Sequence, residues 1–349
     1  MTIKIGNNVI GEENKVFIIA ELSANHNQQF DLAIDSIKAI KECGADAVKL
    51  QTYTADTLTI DSDKDHFKIR QGTIWDGATL YELYKQAFTP WEWQPKLKQF
   101  AEDLGLICFS SPFDKSAVDF LEKMNVPAYK IASFEIVDIP LIEYTASKGK
   151  PMIISTGIAI EEEIQDAVDA CRKIGNNQIA LLKCTSEYPA PIEDANLMTI
   201  PALAERFNTV VGLSDHSLGI TVPIAAAAIG ARIIEKHFIL DRKMGGPDSS
   251  FSLEPNEFKK MVDEIRQVEL ALGEVDFELS DKIKKSRTFA RSLFVVKDIT
   301  AGDRFTEKNV RSIRPSHGLA PKYFYEILGK KATKDIERGT PLSWDLIER

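Results

Sequence analysis

The sequence predicts a (β/α)8 TIM barrel followed by a small, loop-rich β module. Eight short apolar runs recur between residues 16 and 234, each closed by a polar cluster and separated by helix-patterned segments. Runs that are apolar on both faces and alternate with helices imply a parallel sheet covered by helices. Eight such units fit a closed barrel better than a doubly wound sheet. The texture changes after Lys285, which predicts a barrel over residues 1–285 and the module over 286–349.

The runs are Val16–Ala20, Ala47–Leu50, Leu106–Phe109, Ala128–Ile131, Met152–Ile154, Ile179–Leu182, Val210–Leu213 and Ile233–Ile234 with the residues just after. Phe30, Ile34, Ile37 and Lys41 recur at helix spacing, with Gly44 placed to end the helix. Ile164, Ala167, Val168 and Cys171 repeat the pattern behind Glu161–Glu163, acidic residues that suit the positive end of a helix dipole. Phe258, Met261, Val262, Ile265 and Val268 make the last stripe, which stops at Gly273. One crossover is long: residues 52–104 hold an insertion with Trp75, Trp91 and Trp93, read as packing against a neighbouring helix or as a lid at the barrel mouth. In the module, Asp298-Ile299-Thr300-Ala301-Gly302 returns as Asp335-Ile336-Glu337-Arg338-Gly339, followed three residues on by Phe305 or Leu342. The repeat predicts internal pseudo-symmetry.

Length allows one large domain and a small one, at 349 residues. A formal net charge of −9 argues against a nucleic-acid binder, which needs a basic face. It leaves room for an anionic small substrate held by a few local lysines. The N-terminus is too polar for a secretory signal, no apolar run is long enough to span a bilayer, and the chain reads as cytoplasmic. Cys43, Cys108, Cys171 and Cys184 lie far apart beside apolar segments, as buried free thiols do.

Barrel enzymes place their chemistry at the C-terminal ends of the strands. Those ends carry Glu21, Lys49 with Gln51, Ser110 with Ser111, Lys130 with Ser133, Ser155 with Thr156, Lys183 with Thr185, Ser214 with His216, and Glu235 with His237. Three lysines and several hydroxyls converging on one mouth suit an anionic ligand. Because strand side chains alternate, Ser214 shares a face with His216, and Glu235 with His237. A lone strand histidine is ordinarily a core residue. Two in register on neighbouring strands instead suit a divalent metal such as Mn²⁺, Co²⁺ or Zn²⁺ with open positions. His66 and His317 read as solvated or structural, and His26 faces the mouth with no role assigned.

Six motifs in order then resemble the sialic acid synthase family. They are Ile18-Ile19-Ala20-Glu21-Leu22-Ser23-Ala24-Asn25-His26, Gly44-Ala45-Asp46-Ala47-Val48-Lys49, Tyr129-Lys130-Ile131-Ala132-Ser133, Ile154-Ser155-Thr156-Gly157, Gly212-Leu213-Ser214-Asp215-His216 and Glu235-Lys236-His237-Phe238. The tail, with Arg311-Ser312-Ile313-Arg314-Pro315, is similar to the family's antifreeze-like (SAF) β-clip domain. Residues 51–57, 89–93 and 245–253 look more like the pseudaminate branch than the N-acetylneuraminate branch, whose members carry a basic residue or histidine where Ser249 stands. The resemblance implies that Lys49, Lys130, Ser133, Ser155 and Ser214 hold phosphoenolpyruvate. It implies further that His216 and His237 bind a divalent metal, Mn²⁺ first with Mg²⁺ or Co²⁺ as substitutes, beside Glu21. Gln51, Tyr188 and Asp248 would contact an N-acylated amino sugar. In a domain-swapped homodimer, Arg314 would reach the partner's site.

The implied reaction condenses phosphoenolpyruvate with 2,4-diacetamido-2,4,6-trideoxy-altrose and water, with Glu21 positioning or deprotonating the water. Phe251 is expected to pack on the sugar's 6-deoxy methyl. N-acetylneuraminate or legionaminate synthesis would use the same mechanism. Two further readings stand beside it: a Schiff-base aldolase using Lys183, and a binding protein whose C-terminal module acts on ice or carbohydrate.

Overall fold

The computed structural model describes residues 1–70 and 75–348. The chain divides into two compact units, Met1–Gly273 and Glu274–Arg349.

The first unit opens with an antiparallel hairpin, β1 (Thr2–Ile5) and β2 (Asn8–Gly11), paired so that Gly6 and Asn7 form the turn. Its Ile3, Ile5 and Ile10 join the barrel core. The hairpin is too short and too polar to stand out as an apolar run, so sequence patterning passes over it.

All eight apolar runs become strands of one closed parallel barrel: β3 (Phe17–Glu21), β4 (Ala47–Thr52), β5 (Ile107–Pro112), β6 (Tyr129–Ile131), β7 (Met152–Ser155), β8 (Ile179–Cys184), β9 (Val210–Asp215) and β10 (Ile233–His237). β10 closes on β3 with His237 opposite Glu21. The strands are almost wholly buried, which is why they read as continuous apolar runs rather than alternating ones. The helices follow their stripes. Phe30–Glu42 buries Ala33, Ile37 and Ile40, and Pro255–Leu272 buries Phe258, Met261, Val262 and Ile265. Glu161–Lys173 carries three glutamates in its first turn and Arg172 and Lys173 in its last, both matching the dipole.

The insertion forms the helices Ala55–Leu58, Leu80–Ala87 and Gln94–Asp103. Two of its tryptophans fasten it down. Trp91 donates its indole N–H to the Tyr53 carbonyl at 3.0 Å and stacks 4.8 Å from Phe120. Trp93 sets its edge against His26 and Phe30, at 5.7 and 5.6 Å. Trp75 differs, donating to the Pro247 carbonyl at 3.2 Å beside the barrel mouth.

The second unit pairs β11 (Ser292–Val295) with β12 (Val310–Ile313) around its own core of Leu293, Val295, Phe305, Val310 and Leu342. Its repeat is a physical one. Ile299 and Ile336 exchange backbone hydrogen bonds of 3.0 and 2.8 Å. The Ala301 N–H donates to Asp335 and the Arg338 N–H to Asp298, each at 2.7 Å. All four cysteines are free and buried. Among the described residues no helix is long and apolar enough to cross a membrane.

Gly212 marks the tightest strand contact in the barrel wall: a Cβ there would lie 2.3 Å from the Ile233 carbonyl oxygen and 2.7 Å from Leu182 Cδ2. Gly212→Ala is expected to cost about 1–3 kcal/mol through overpacking between β9 and β10. A thermal melt that matches the wild-type midpoint would show that the wall yields more easily than its contacts imply.

Candidate active site

The floor of the barrel mouth is a buried charge network built from strand ends. Lys49 Nζ lies 2.8 Å from Glu21 Oε2 and 3.0 Å from Glu235 Oε1, and Lys130 Nζ lies 3.4 Å from the same Glu235 oxygen. Ser214 donates to Glu235 at 3.1 Å, and the Gln51 amide donates to Glu21 at 3.1 Å. Strand alternation aims these side chains inward from β3, β4, β6, β9 and β10.

Burial sets their protonation. It pushes the Glu21 carboxyl up to about 7, against the pull of Lys49. Burial also opposes ionisation of Glu235, yet Lys130 and Lys49 together bring it down to about 2. The two carboxyls share Lys49 and titrate together, Glu21 raised and Glu235 lowered. Burial alone would lower Lys49, but Glu21 and Glu235 outweigh it and hold the ammonium above its ordinary value. Lys130, with a single more distant carboxylate, is pulled below its ordinary value by burial.

Beside the floor, the His216 and His237 rings sit 5.3 Å apart on β9 and β10 and the residue just after. His216 Nδ1 lies 2.9 Å from the Thr185 carbonyl oxygen. A carbonyl only accepts, so Nδ1 carries a proton, and although burial opposes ionisation of the ring, the facing Cys184 outweighs it and holds His216 above its ordinary value. His237 Nδ1 is buried with no hydrogen-bond partner, 3.9 Å from Asp248 Oδ2, and burial with the neighbouring His216 holds the ring neutral. Among the described residues no cluster of three or more His, Cys, Asp or Glu is spaced as a metal cage. The fit is that of two neighbouring imidazoles that can each offer a ring nitrogen, with the remaining positions left to water and substrate.

Above lies a cavity of about 390 Å³ lined by Gln51, Lys130, Ser133, Ser155, Tyr188, Ser214, His216, Glu235, His237 and Asp248. Ser155 Oγ is buried without a partner. Glu21 and Lys49 lie beneath the lining, essentially closed to solvent. Asp248 accepts from the Ser23 hydroxyl, and Tyr188 stacks 4.4 Å from His216 and 5.5 Å from Trp75. Arg314 is exposed in the second unit, just beyond β12.

Two sequence expectations are corrected. Lys183 does not join the other lysines: its ammonium donates to the Cys184 carbonyl at 2.8 Å and it is absent from the cavity wall. Cys184 faces His216 instead, 3.7 Å from Nδ1, so strand alternation turns Lys183 outward. Phe251 does not reach the cavity either. Its ring is buried against Tyr188 and His237, at 5.3 and 5.0 Å, and backs the imidazoles. His26 is structural, bonded to Thr89 at 3.0 Å, while His66 turns out to line the cavity. Ser23, Tyr53, Glu135 and Ser186 also line it and were assigned no role from the sequence, and Trp75 of the insertion lines it as well. Glu135 has a buried, unpartnered oxygen and a carboxyl that burial pushes up to about 7.

The NeuB family profile matches residues 36–277, and a SAF domain profile matches residues 290–348. The chain belongs to the NeuB family. It is 54% identical to the pseudaminic acid synthase of Helicobacter pylori over 95% of this chain and 98% of that one. It is 52% identical to the pseudaminic acid synthase of Campylobacter jejuni subsp. jejuni serotype O:2, covering 97% and 98%. Among solved structures, the spore coat polysaccharide biosynthesis protein spsE of Bacillus subtilis superposes with a TM-score of 0.69 at 36% identity, over 100% of this chain and 99% of that chain.

For this NeuB-family site, Phe251→Ala is expected to cost about 3–5 kcal/mol in thermal stability, the range for emptying a buried phenyl site. Discrimination between 6-deoxy and 6-hydroxy sugars should stay as in the wild type. Altered discrimination with an unchanged melt would return the ring to the substrate wall.

Proposed function

We propose that this protein is a metal-dependent synthase that joins phosphoenolpyruvate to 2,4-diacetamido-2,4,6-trideoxy-altrose with water, forming pseudaminic acid and releasing phosphate. The observation that carries the reaction is the juxtaposition of a lysine- and serine-lined floor with two neighbouring imidazoles in one cavity. The sugar rests on the 52–54% identity to pseudaminic acid synthases over nearly the full chain.

Lys130, Ser133, Ser155 and Ser214 line the part of the cavity suited to the phosphate and carboxylate, with Lys49 beneath them. Lys130 is the cation best placed to turn to the ligand, because its one carboxylate partner stands at 3.4 Å. Ser155, unpartnered, donates without first giving up a bond. Gln51, Tyr188 and Asp248 line the sugar's side. His216 and His237 would hold a divalent ion, Mn²⁺ in our assignment, which would supply Lewis-acid polarisation of the aldehyde oxygen. The enol carbon of phosphoenolpyruvate bonds to the aldehyde carbon, and the aldehyde oxygen gains a proton. Water adds to the resulting oxocarbenium carbon with Glu21, in its carboxylate form, positioning it or taking its proton, and the C–O bond to phosphate breaks as the new hydroxyl loses its proton to become the keto group. Lys49 and Lys130 stabilise the anionic charge throughout.

The barrel over residues 1–285 is the catalytic part in this reading. The SAF module over 286–349 carries Arg314 to the N-acyl group of a partner's substrate in a domain-swapped homodimer. The reaction belongs in the cytoplasm, where phosphoenolpyruvate is available.

Phosphate release with Mn²⁺, offering the candidate sugars in parallel, tests the reading. Turnover of the altrose-configured sugar alone is the expected result. Turnover of N-acetylmannosamine or of the mannose-configured diacetamido sugar would keep the mechanism and change the substrate. His216→Ala or His237→Ala should lower the rate about a thousandfold, since metal polarisation supplies several kcal/mol. Full activity of either variant in the presence of chelator would remove the metal role.

A further inference from the structure

The cavity has a second half that the mechanism above does not use. The helix Leu80–Ala87 contains no fully buried residue, yet its Leu80, Leu83, Tyr84 and Ala87 stand at i, i+3, i+4 and i+7 and all line the cavity. Its opposite face, with Glu82, Lys85 and Gln86, is exposed. A Thr79–Glu82 capping box fixes the start of the helix, and Tyr84 packs 5.8 Å from Tyr53. Leu58 and Phe113 extend the same apolar wall. An amphipathic helix ordinarily turns such a stripe onto a protein core. Here the stripe faces the chamber that holds Lys130, Glu235 and the two imidazoles.

We infer that this wall is the subsite for the distal, methyl-bearing end of the sugar, with Leu80 and Leu83 against its deoxy carbon. The inference rests on the reaction proposed above. The aldehyde carbon must lie at the histidines and the phosphate at Lys130, so the far end of an open-chain hexose points away from both. The helix presents an apolar stripe to the chamber, with His66 and Lys68 of the same insertion also in the lining. A hydroxyl held against Leu80 and Leu83 would lose water without gaining a partner from either side chain, whereas a methyl group gains contact with both. The wall thereby takes the part expected of Phe251, whose ring lies behind the imidazoles.

The test uses the metal-loaded full chain with phosphoenolpyruvate and two alditols, the reduced forms of the 6-deoxy and the 6-hydroxy diacetamido sugars. Both lack the aldehyde, so calorimetry reads their binding without turnover. Leu83→Ser should weaken the 6-deoxy alditol about tenfold, the effect of a lost methyl contact, and leave the 6-hydroxy alditol within about twofold. Leu83→Met, which conserves volume, should restore the preference, and the KM for phosphoenolpyruvate should not move in either variant. Equal weakening of both alditols, or no weakening of either, would overturn the subsite. Absence of phosphate release by the wild type would instead fault the reaction, and alditol binding would still decide the wall.

Discussion

Two lysines and two glutamates buried at the barrel mouth, Lys130 and Glu235 in the cavity wall and Glu21 and Lys49 beneath it, set the terms for the rest of the site. Taking four charges out of water is tolerable only as a set, because each ion's desolvation must be offset by a close partner of opposite sign. Barrel closure provides the partners. With β10 seated against β3, Glu235 and Glu21 flank Lys49 from two sides. Ser214 and Gln51 satisfy further carboxylate oxygens. The strands must close in this register for the charges to balance.

That dependence explains why so much of the site was legible in the sequence. A parallel barrel converts position along the chain into position around a ring, and every strand delivers its C-terminal residues to the same end. Lys49, Lys130, Ser155, Ser214, His216 and His237 followed from that rule alone. Lys183 shows the limit of reading strand ends without their parity. Cys184 pairs in register with Ser214, an inward residue, so its neighbour Lys183 must point out. The alternation that selected the histidines, carried to β8, would have excluded this lysine.

Loop residues obey no such rule. Asp248 is held by Ser23, more than two hundred residues away, and Trp75 is held by the Pro247 carbonyl. Such contacts depend on backbone paths that local patterning does not encode. Phe251 failed for the same reason: its apolar character was read correctly, but nothing local says whether a buried ring faces substrate or supports the residues that do. The helix Leu80–Ala87 shows the converse. Its period of 3.6 is plain in the sequence, yet periodicity names only the apolar face and never what that face meets.

Charge counting ties the floor to the proposed chemistry. Lys49 and Lys130 against Glu21 and Glu235 sum to zero, and to one positive charge when burial keeps the proton on Glu21. Phosphoenolpyruvate brings a carboxylate and a phosphate monoester, the latter worth about −1.5 to −2 at neutral pH. A floor of zero or one positive charge cannot balance that ligand in a site of low dielectric. In the function proposed above, a divalent cation on the adjacent imidazoles would supply the difference, and burial, which holds the His237 pKa well below its ordinary value, would keep that ring's lone pair available. In that reading the Glu21 carboxyl, raised by burial, and the paired histidines belong to one electrostatic balance. Under the proposed mechanism Glu21 would accept the proton of the attacking water only in its ionised form, and Lys49, which touches both carboxylates, favours that form.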